Sequence, residues 1–385
     1  MTHLDQHANS PLAGGVLIIS PEAWDAHSVS KHHYARTLAA RGSTVFFLNP
    51  PDDSLTELQI DVASDFAGVH VVSGPRVAAG LRFYPAFLRR WMEARWLSHF
   101  ETVIGSKINV VWLFENSRFF DLRFATDRLK IYHQVDLNQN FHPASAAATA
   151  DICFCTTDFI KSQLQPFNSR VYKIHHGLAN HAGAQALGPG NPASLSQKQV
   201  EALHGAKVNA FCVGNLDMVY LDVGLLDSLI RQLPAVRFHF VGACSDGSEL
   251  RTKCANLPNV AWWGKVASVQ IPSLLNHADV LLLSYKADLH REQLASPHKL
   301  MEYFASGKIV VATYTDEYKD KRHLMKMVDD RESYSAAFTE VINNLEKYNS
   351  LDRQNARREF AQAHTYEKQL DKIIELLDQT QLVDN

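Results

Sequence analysis

Short unbroken apolar runs alternate along this chain with stretches whose apolar positions recur every three or four residues. That pattern predicts buried parallel strands joined by amphipathic helices. In the first half, GVLIIS (15–20), TVFFLNPP (44–51), NVVWLFE (109–115), KIYHQ (130–134), residues 151–155 and VYKIHHGL (171–178) read as strands. KHHYARTLAARG (31–42) reads as a helix with Tyr34, Ala35, Leu38 and Ala39 on one side, and further helices are predicted from Ser117 and after a Thr157 cap. A second series follows: VNAFCVG (208–214), VRFHFVG (236–242), NVAWWG (259–264) and ADVLLLSY (278–285), each followed by a helical stretch. SPHKLMEYFASGKIVVAT (296–313) then combines a helix, a stop at Gly307 and a strand. Helices are also predicted around 334–348 and, as one long amphipathic element, over 352–379.

Between the two series, residues 179–206 are rich in Gly, Ala, Pro and Asn without periodicity, and read as a linker. The predicted organisation is a leader at 1–14, an α/β domain at 15–178, the linker, and a second α/β domain at 207–351. Helix 352–379 finds no third sheet to join. A chain of 385 residues agrees with two cores rather than one.

Composition narrows the function classes. A net charge of −3 offers no global case for nucleic-acid binding. The five cysteines, Cys153, Cys155, Cys212, Cys244 and Cys254, sit in or beside apolar runs without paired spacing, as buried thiols of a reducing compartment would. Neither a signal peptide nor an apolar run of membrane-spanning length is visible. The expectation is a cytoplasmic protein.

Candidate chemistry lies where strands end. The loop after the first strand holds Trp24, Asp25, His27, Ser28 and Ser30, at the carboxyl edge where open α/β sheets bind ligands. No GxGxxG follows that strand, since Gly14 and Gly15 precede it, which argues against an ordinary NAD-dependent enzyme. Ser30 fits an N-cap, and His27 either a ligand contact or a loop residue. Asp136, just past KIYHQ, fits a general base or a turn residue equally.

On the helix after Ser296, Lys299 and Glu302 stand three apart near the N-terminus. They fit either a surface ion pair or a shared ligand-binding face. Residues 76–95 carry Arg76, Arg82, Arg89, Arg90 and Arg95 against Glu93 alone, a local charge of +4. Phe87, Trp91, Ala94 and Leu97 follow helical spacing there. Such a segment suits an anionic membrane surface, or a helix packed on its own sheet with solvated arginines.

Two Rossmann-like halves, a linker after an HHG turn, a PxKLxEYxAxGK helix, and HTY with a terminal helix together resemble the GT-B glycosyltransferases, over roughly residues 15–377. Within that fold the pattern is nearest to the xanthan-assembly glucuronosyltransferase and related bacterial surface-polysaccharide glycosyltransferases. The resemblance implies two domains facing a cleft, with the acceptor on the first domain and the nucleotide sugar on the second. It also implies a terminal helix crossing back to the first domain. Asp136 becomes the base. Donor contacts become Val213, Gly214, Asn215 and Leu216, then Gly264, Lys265 and Val266, then Tyr285, His298, Lys299 on phosphate and Glu302 on ribose. Trp24, Asp25 and His27 fall in the acceptor loop.

Retaining members often carry a second glutamate eight positions before Glu302. That position is Leu294, and Glu292 is out of register, so an inverting reaction is expected. Glu302 replaces an amide residue and Lys265 an acidic one, so the transferred sugar does not carry over. UDP is the family's usual nucleotide. No DxD suits a metal-bound diphosphate, and the Asp pairs at 52–53 and 329–330 read as surface turns, so metal independence is expected. No cofactor is implied, because the nucleotide sugar is a substrate. The implied acceptor is a glycan or a polyprenyl-diphosphate-linked sugar, with residues 76–100 resting on the inner face of the cell membrane. Two other readings share the fold: a non-catalytic scaffold of a polysaccharide assembly complex, and a nucleotide-sugar 2-epimerase.

Overall fold

The computed structural model describes residues 11–26, 28–137, 141–179, 201, 203 and 207–383, without the side chains of 381–383. Most of the expected linker and leader, and His27, lie outside the described residues. The chain divides into two compact units: residues up to 176 together with those from 366 onward, and residues 177–365.

The first unit is built on strands β1 (Gly15–Ile19), β2 (Thr44–Leu48), β3 (Gln59–Val62), β4 (Val69–Ser73), β5 (Ile108–Leu113), β6 (Leu129–Gln134), β7 (Ile152–Cys155) and β8 (Val171–Lys173). They form one sheet in the order β3-β4-β2-β1-β5-β6-β7-β8. Every pairing is parallel except β3 with β4. β1, β2, β5, β6 and β7 match the apolar runs, which are continuous because both faces of the sheet are covered, whereas the edge strand β8, expected over 171–178, stops at Lys173. β3 is an exposed antiparallel edge of sequence QIDV, and no apolar run announces it.

Helix α1 (Ser30–Ala40) begins one residue earlier than expected, with Val29 rather than Ser30 at the cap. The His32 side chain takes over the capping role. Its Nδ1 accepts the Val29 N–H at 3.2 Å and its Nε2 donates to Ala23 O at 3.0 Å. Burial lowers the His32 pKa, which keeps the ring neutral in that tautomer. Ser30 Oγ instead accepts from Tyr366 Oη at 3.2 Å and lies 3.2 Å from His176 Nδ1.

Helix α2 (Ala86–Ile104) turns only the C-terminal half of the face marked by its apolar spacing inward, through Ala94 and Leu97. Phe87 is 70% and Trp91 59% exposed, whereas Arg89, Glu93, Leu97 and Phe100 are buried. The reason lies in the next loop, where Asp121 faces the Arg89 guanidinium at 3.5 Å and Phe120 stacks under it at 4.3 Å. No helix starts at Ser117. Arg118 Nη2 donates to Ser20 O and Asn49 O, both at 2.8 Å, and Phe119 takes φ = 53°, so the chain cannot coil there. A single 3₁₀ turn at Leu122–Phe124 follows, initiated by Asp121. A short helix, α3 (Pro143–Thr149), lies just beyond the Asp136 loop and was not expected.

The second unit holds β9 (Val208–Val213), β10 (Val236–Val241), β11 (Val260–Gly264), β12 (Val280–Leu283), β13 (Ile309–Ala312) and β14 (Lys326–Met327), all parallel, in the order β11-β10-β9-β12-β13-β14. Helix α4 (Lys299–Ser306) leads into β13 and stops at Gly307, as the sequence predicts. The long terminal helix is two helices, α5 (Leu351–Gln362) and α6 (Tyr366–Val383). α5 stays in the second unit, where the fully buried Arg357 guanidinium donates to the carbonyls of Leu324, Gly307 and Tyr348 at 2.7–2.9 Å. His364 Nδ1 closes α5 on Phe360 O at 2.7 Å, and Thr365 bridges to Leu178. α6 belongs to the first unit, held by Tyr366 stacked on His33 and by the Arg41–Asp371 ion pair.

Glu93 gives this fold a pH signature. It is 1% exposed, and burial pushes its carboxyl up to about 8 against the pull of Arg89, with Asp121 raising it further. In the unfolded chain it ionises near pH ~4.3. Its contribution to stability is therefore complete below that pH and is lost as pH rises towards about 8, on the order of a few kcal/mol. Urea unfolding of Glu93→Gln should show a variant more stable than the native chain at pH ~8, by a margin that shrinks to nothing near pH ~4.5. Parallel pH profiles for the two proteins would contradict the buried, protonated acid.

Candidate functional site

The carboxyl edge of the second sheet is organised by the first two turns of α4. Lys299 and Tyr303 are four residues apart, so they lie on one face of the helix, and both reach the last residue of β9. Lys299 Nζ donates to Val213 O at 2.7 Å, and Tyr303 Oη accepts the Val213 N–H at 2.9 Å while facing Leu282 O at 3.3 Å. The Lys299 ammonium also stands 5.2 Å over the ring of Tyr285, two residues past β12. Burial works against its charge, but Tyr285 and Cys212 outweigh it and the pKa lies above the ordinary lysine value.

Immediately beyond Val213 the backbone descends a step of glycines. The Gly214 N–H donates to Val241 O, and the Gly242 N–H to Gly264 O, each at 2.8 Å. Gly214 takes φ = 131° and Gly242 φ = 138°, which other residues rarely adopt. A Cβ on Gly242 would lie 1.8 Å from Gly214 O, and one on Gly214 2.7 Å from Lys299 Nζ. Both positions need glycine for space as well as for φ. Gly214 leaves the Lys299 ammonium a clear approach to the turn.

The structure gathers Gly214, Lys299 and Tyr285 at this edge. His298 is exposed at the N-cap of α4 and Glu302 is half-buried on its next turn, where burial raises its pKa and Lys299 opposes the rise. Among the described residues no ion pair joins Lys299 to Glu302, so the surface-pair reading of that spacing is not what forms. Asn215 is exposed and its Oδ1 accepts the Asp217 N–H in a local turn. The Leu216 and Val266 side chains pack on the core, and Lys265 is exposed. Leu294 is buried in that core, and Glu292 points to solvent. Gly242 and Tyr303 escaped the sequence reading as site residues. The VG ending shared by β9 and β10 was the available signal.

In the first unit, Asp136 is half-buried two residues past β6. A hydrogen-bonded chain fixes its loop: Asn116 Nδ2 donates to Tyr132 Oη at 2.8 Å, Tyr132 Oη to Gln134 Oε1 at 3.1 Å, and Gln134 Nε2 to Asp136 O at 3.2 Å. Asn116 Oδ1 holds the far side of the loop through the Phe141 N–H. Trp24 serves the core rather than an open loop. It is buried against Phe47 and His32, with its Nε1–H on Asp65 at 2.8 Å. Asp25 is exposed, and His27 is outside the described residues.

Residues 209–344 match the family of glycosyl transferases group 1. TuaH of Bacillus subtilis (strain 168), named for glycosyl transfer in teichuronic acid biosynthesis, is 28% identical over 151 residues, a match spanning 36% of this chain and 36% of that protein. Sucrose-phosphate synthase from Thermosynechococcus elongatus superposes with a TM-score of 0.67 at 15% identity, covering 96% of this chain and 100% of that one. Anabaena HepE in complex with UDP and glucose gives 0.65 at 12% identity, covering 95% and 99%. The chain has the GT-B fold, and the group 1 region coincides with the second sheet and its glycine step.

If Gly214 is required for space, Gly214→Ala should push Lys299 off Val213 O and lower stability by about 1–3 kcal/mol, the range for a buried hydrogen bond broken on one side. An unchanged urea midpoint would contradict the close approach.

Proposed function

We propose that the protein is a glycosyltransferase that moves a sugar from a nucleotide-diphosphate sugar, UDP-linked, to a glycan or polyprenyl-diphosphate-linked acceptor in the making of a bacterial surface polysaccharide. The observation that carries this reading is the glycine step over the Lys299 ammonium, inside the matched group 1 region. A cation beside a turn of free backbone space at the N-terminus of an eight-residue helix is a setting for a diphosphate. The same position lets the diphosphate leave as an anion, since the positive end of α4 and Lys299 stabilise the charge that develops on it. Glu302, on the next turn, takes the ribose hydroxyls, and Tyr285 lies beside the bound nucleotide.

Asp136 is the base in this reading. It accepts the proton of the acceptor hydroxyl as that oxygen bonds to the anomeric carbon and the bond from that carbon to the diphosphate oxygen breaks. The Asn116–Tyr132–Gln134 chain supports the role by fixing the Asp136 backbone. Leu294 in the core, where a retaining pair would need a carboxylate, supports inversion. The exposure of Phe83, Phe87 and Trp91 among arginines around α2, at 78%, 70% and 59%, supports work at the inner membrane face. Among the described residues no helix is long and apolar enough to cross a membrane.

The test is turnover of UDP-, GDP- and dTDP-sugars with and without a lipid-linked or glycan acceptor. A UDP-sugar should be consumed only when acceptor is present, and Asp136→Asn should lower the rate roughly 10²- to 10⁴-fold while nucleotide binding persists. Consumption without acceptor would point to epimerisation, absence of any nucleotide binding to a scaffold, and full activity of Asp136→Asn would remove the base.

A further inference from the structure

Under α2, at the carboxyl edge of the first sheet, a cavity of about 100 Å³ opens to solvent. Its walls are mostly apolar, with Leu48, Val77, Leu81, Trp96 and Phe119 among them. Among its polar lining side chains are Arg89, Glu93 and Arg118. Each carries a buried polar atom without a hydrogen-bond partner, namely Arg89 Nε, Glu93 Oε2 and Arg118 Nε. Buried polar atoms are nearly always paired, so three orphans on side chains that line one cavity leave hydrogen-bonding capacity beside it unused.

The chemistry of the three selects what enters. Both guanidinium groups offer N–H donors. Burial keeps the Glu93 carboxyl protonated up to about pH 8, so it too offers a proton rather than a negative charge. Arg82 and Arg76 line the same cavity, Arg76 paired with Asp53, and Arg82 in no ion pair among the described residues. A lining that donates and is net cationic complements an oxyanion. The apolar walls and the exposed Phe83 and Phe87, in the segment that supplies Leu81, Arg82 and Arg89, suit an oxyanion carried on hydrocarbon.

We propose that this cavity binds the phosphate group of a single-chain amphiphile, with Arg89, Arg118 and Glu93 donating to its oxygens and the hydrocarbon leaving past Leu81. The proposal deepens the acceptor side of the function above by assigning Glu93 as the acid that recognises a lipid-borne phosphate. The charged groups acting on Glu93 are Arg89 and Asp121, while Arg76, Arg82 and Arg118 line the same cavity and His142 stacks on Phe120 at its wall, its pKa lowered by burial and by Arg89 and Arg82. Arg118 is lowered by burial only to about 10, and Asp121 is held below the ordinary carboxylate range despite its own burial, by Arg123. Glu93 is therefore the group whose proton controls binding near neutral pH.

The experiment titrates the full chain with farnesyl phosphate, farnesol and inorganic phosphate, each alone and without sugar donor, by calorimetry and tryptophan fluorescence from pH ~7 to ~9.5. Farnesyl phosphate should bind at least about tenfold more tightly than either fragment, and its affinity should fall about tenfold between pH ~8 and ~9.5 as Glu93 loses its proton. Glu93→Gln, which keeps a donor, should bind with a flat pH profile, and Arg82→Ala, at an exposed position, should weaken binding several-fold. Farnesol binding as well as farnesyl phosphate would overturn phosphate recognition. Inorganic phosphate binding as well would reduce the cavity to a free-anion site, and an unchanged pH profile in Glu93→Gln would remove Glu93. Because no donor or turnover is involved, these results stand apart from any failure of the glycosyltransferase assay.

Discussion

The contact between Lys299 Nζ and Val213 O is the constraint around which the second unit's candidate site is arranged. A parallel sheet ends in a row of carbonyls that have no further strand to meet, and the central strand's last carbonyl is the hardest to leave buried. Lys299 satisfies it with a charge, and Tyr303 satisfies the N–H of the same residue, so one helix face clamps the strand end from both sides. The clamp brings a cation against a turn that glycine alone can form. Glu302 and His298 then take their places from the helix that the clamp positions.

The first unit solves the same problem with arginine. Arg118 closes the carboxyl ends of β1 and β2 through Ser20 O and Asn49 O, and this draws the chain after β5 away from a helical path. That detour carries Phe120 and Asp121 beneath α2, where they hold Arg89 inside and leave Phe87 and Trp91 in solvent. A first half of a helix that buries Arg89 and Glu93 and exposes Phe87 and Trp91 is costly for a protein bathed only in water. It is economical for one whose exposed face meets an apolar surface, and the buried polar groups then remain available beneath it.

Most strands were legible because a strand covered on both faces is written as an apolar run, and β1, β2, β5–β7, β9, β10, β12 and β13 are such strands. The α4 helix and its stop were legible for the same local reasons. What escaped depends on partners distant in sequence. The inward face of α2 is decided by Asp121, some thirty residues on, and the glycine at 242 by the approach of Gly214 O from the neighbouring strand. The break between α5 and α6 falls in a stretch whose apolar spacing continues across it, so only the unit to which each helix docks reveals the interruption. Of the candidate site, Lys299, Gly214 and Tyr285 were readable from their order in the chain, whereas Tyr303 looked like a core aromatic because its hydroxyl partner is a backbone N–H.

The central claim is that the Lys299 cation, held at the glycine turn, is what a nucleotide diphosphate meets. Calorimetric titration of UDP into the native chain and into Lys299→Met, with the folded state of the variant verified by circular dichroism, tests it most directly. The account predicts a loss of at least about tenfold in UDP affinity, the scale of one charge-assisted contact of about 1.4 kcal/mol or more. Equal affinity in the two proteins would contradict it and leave Lys299 as a purely structural cap on β9.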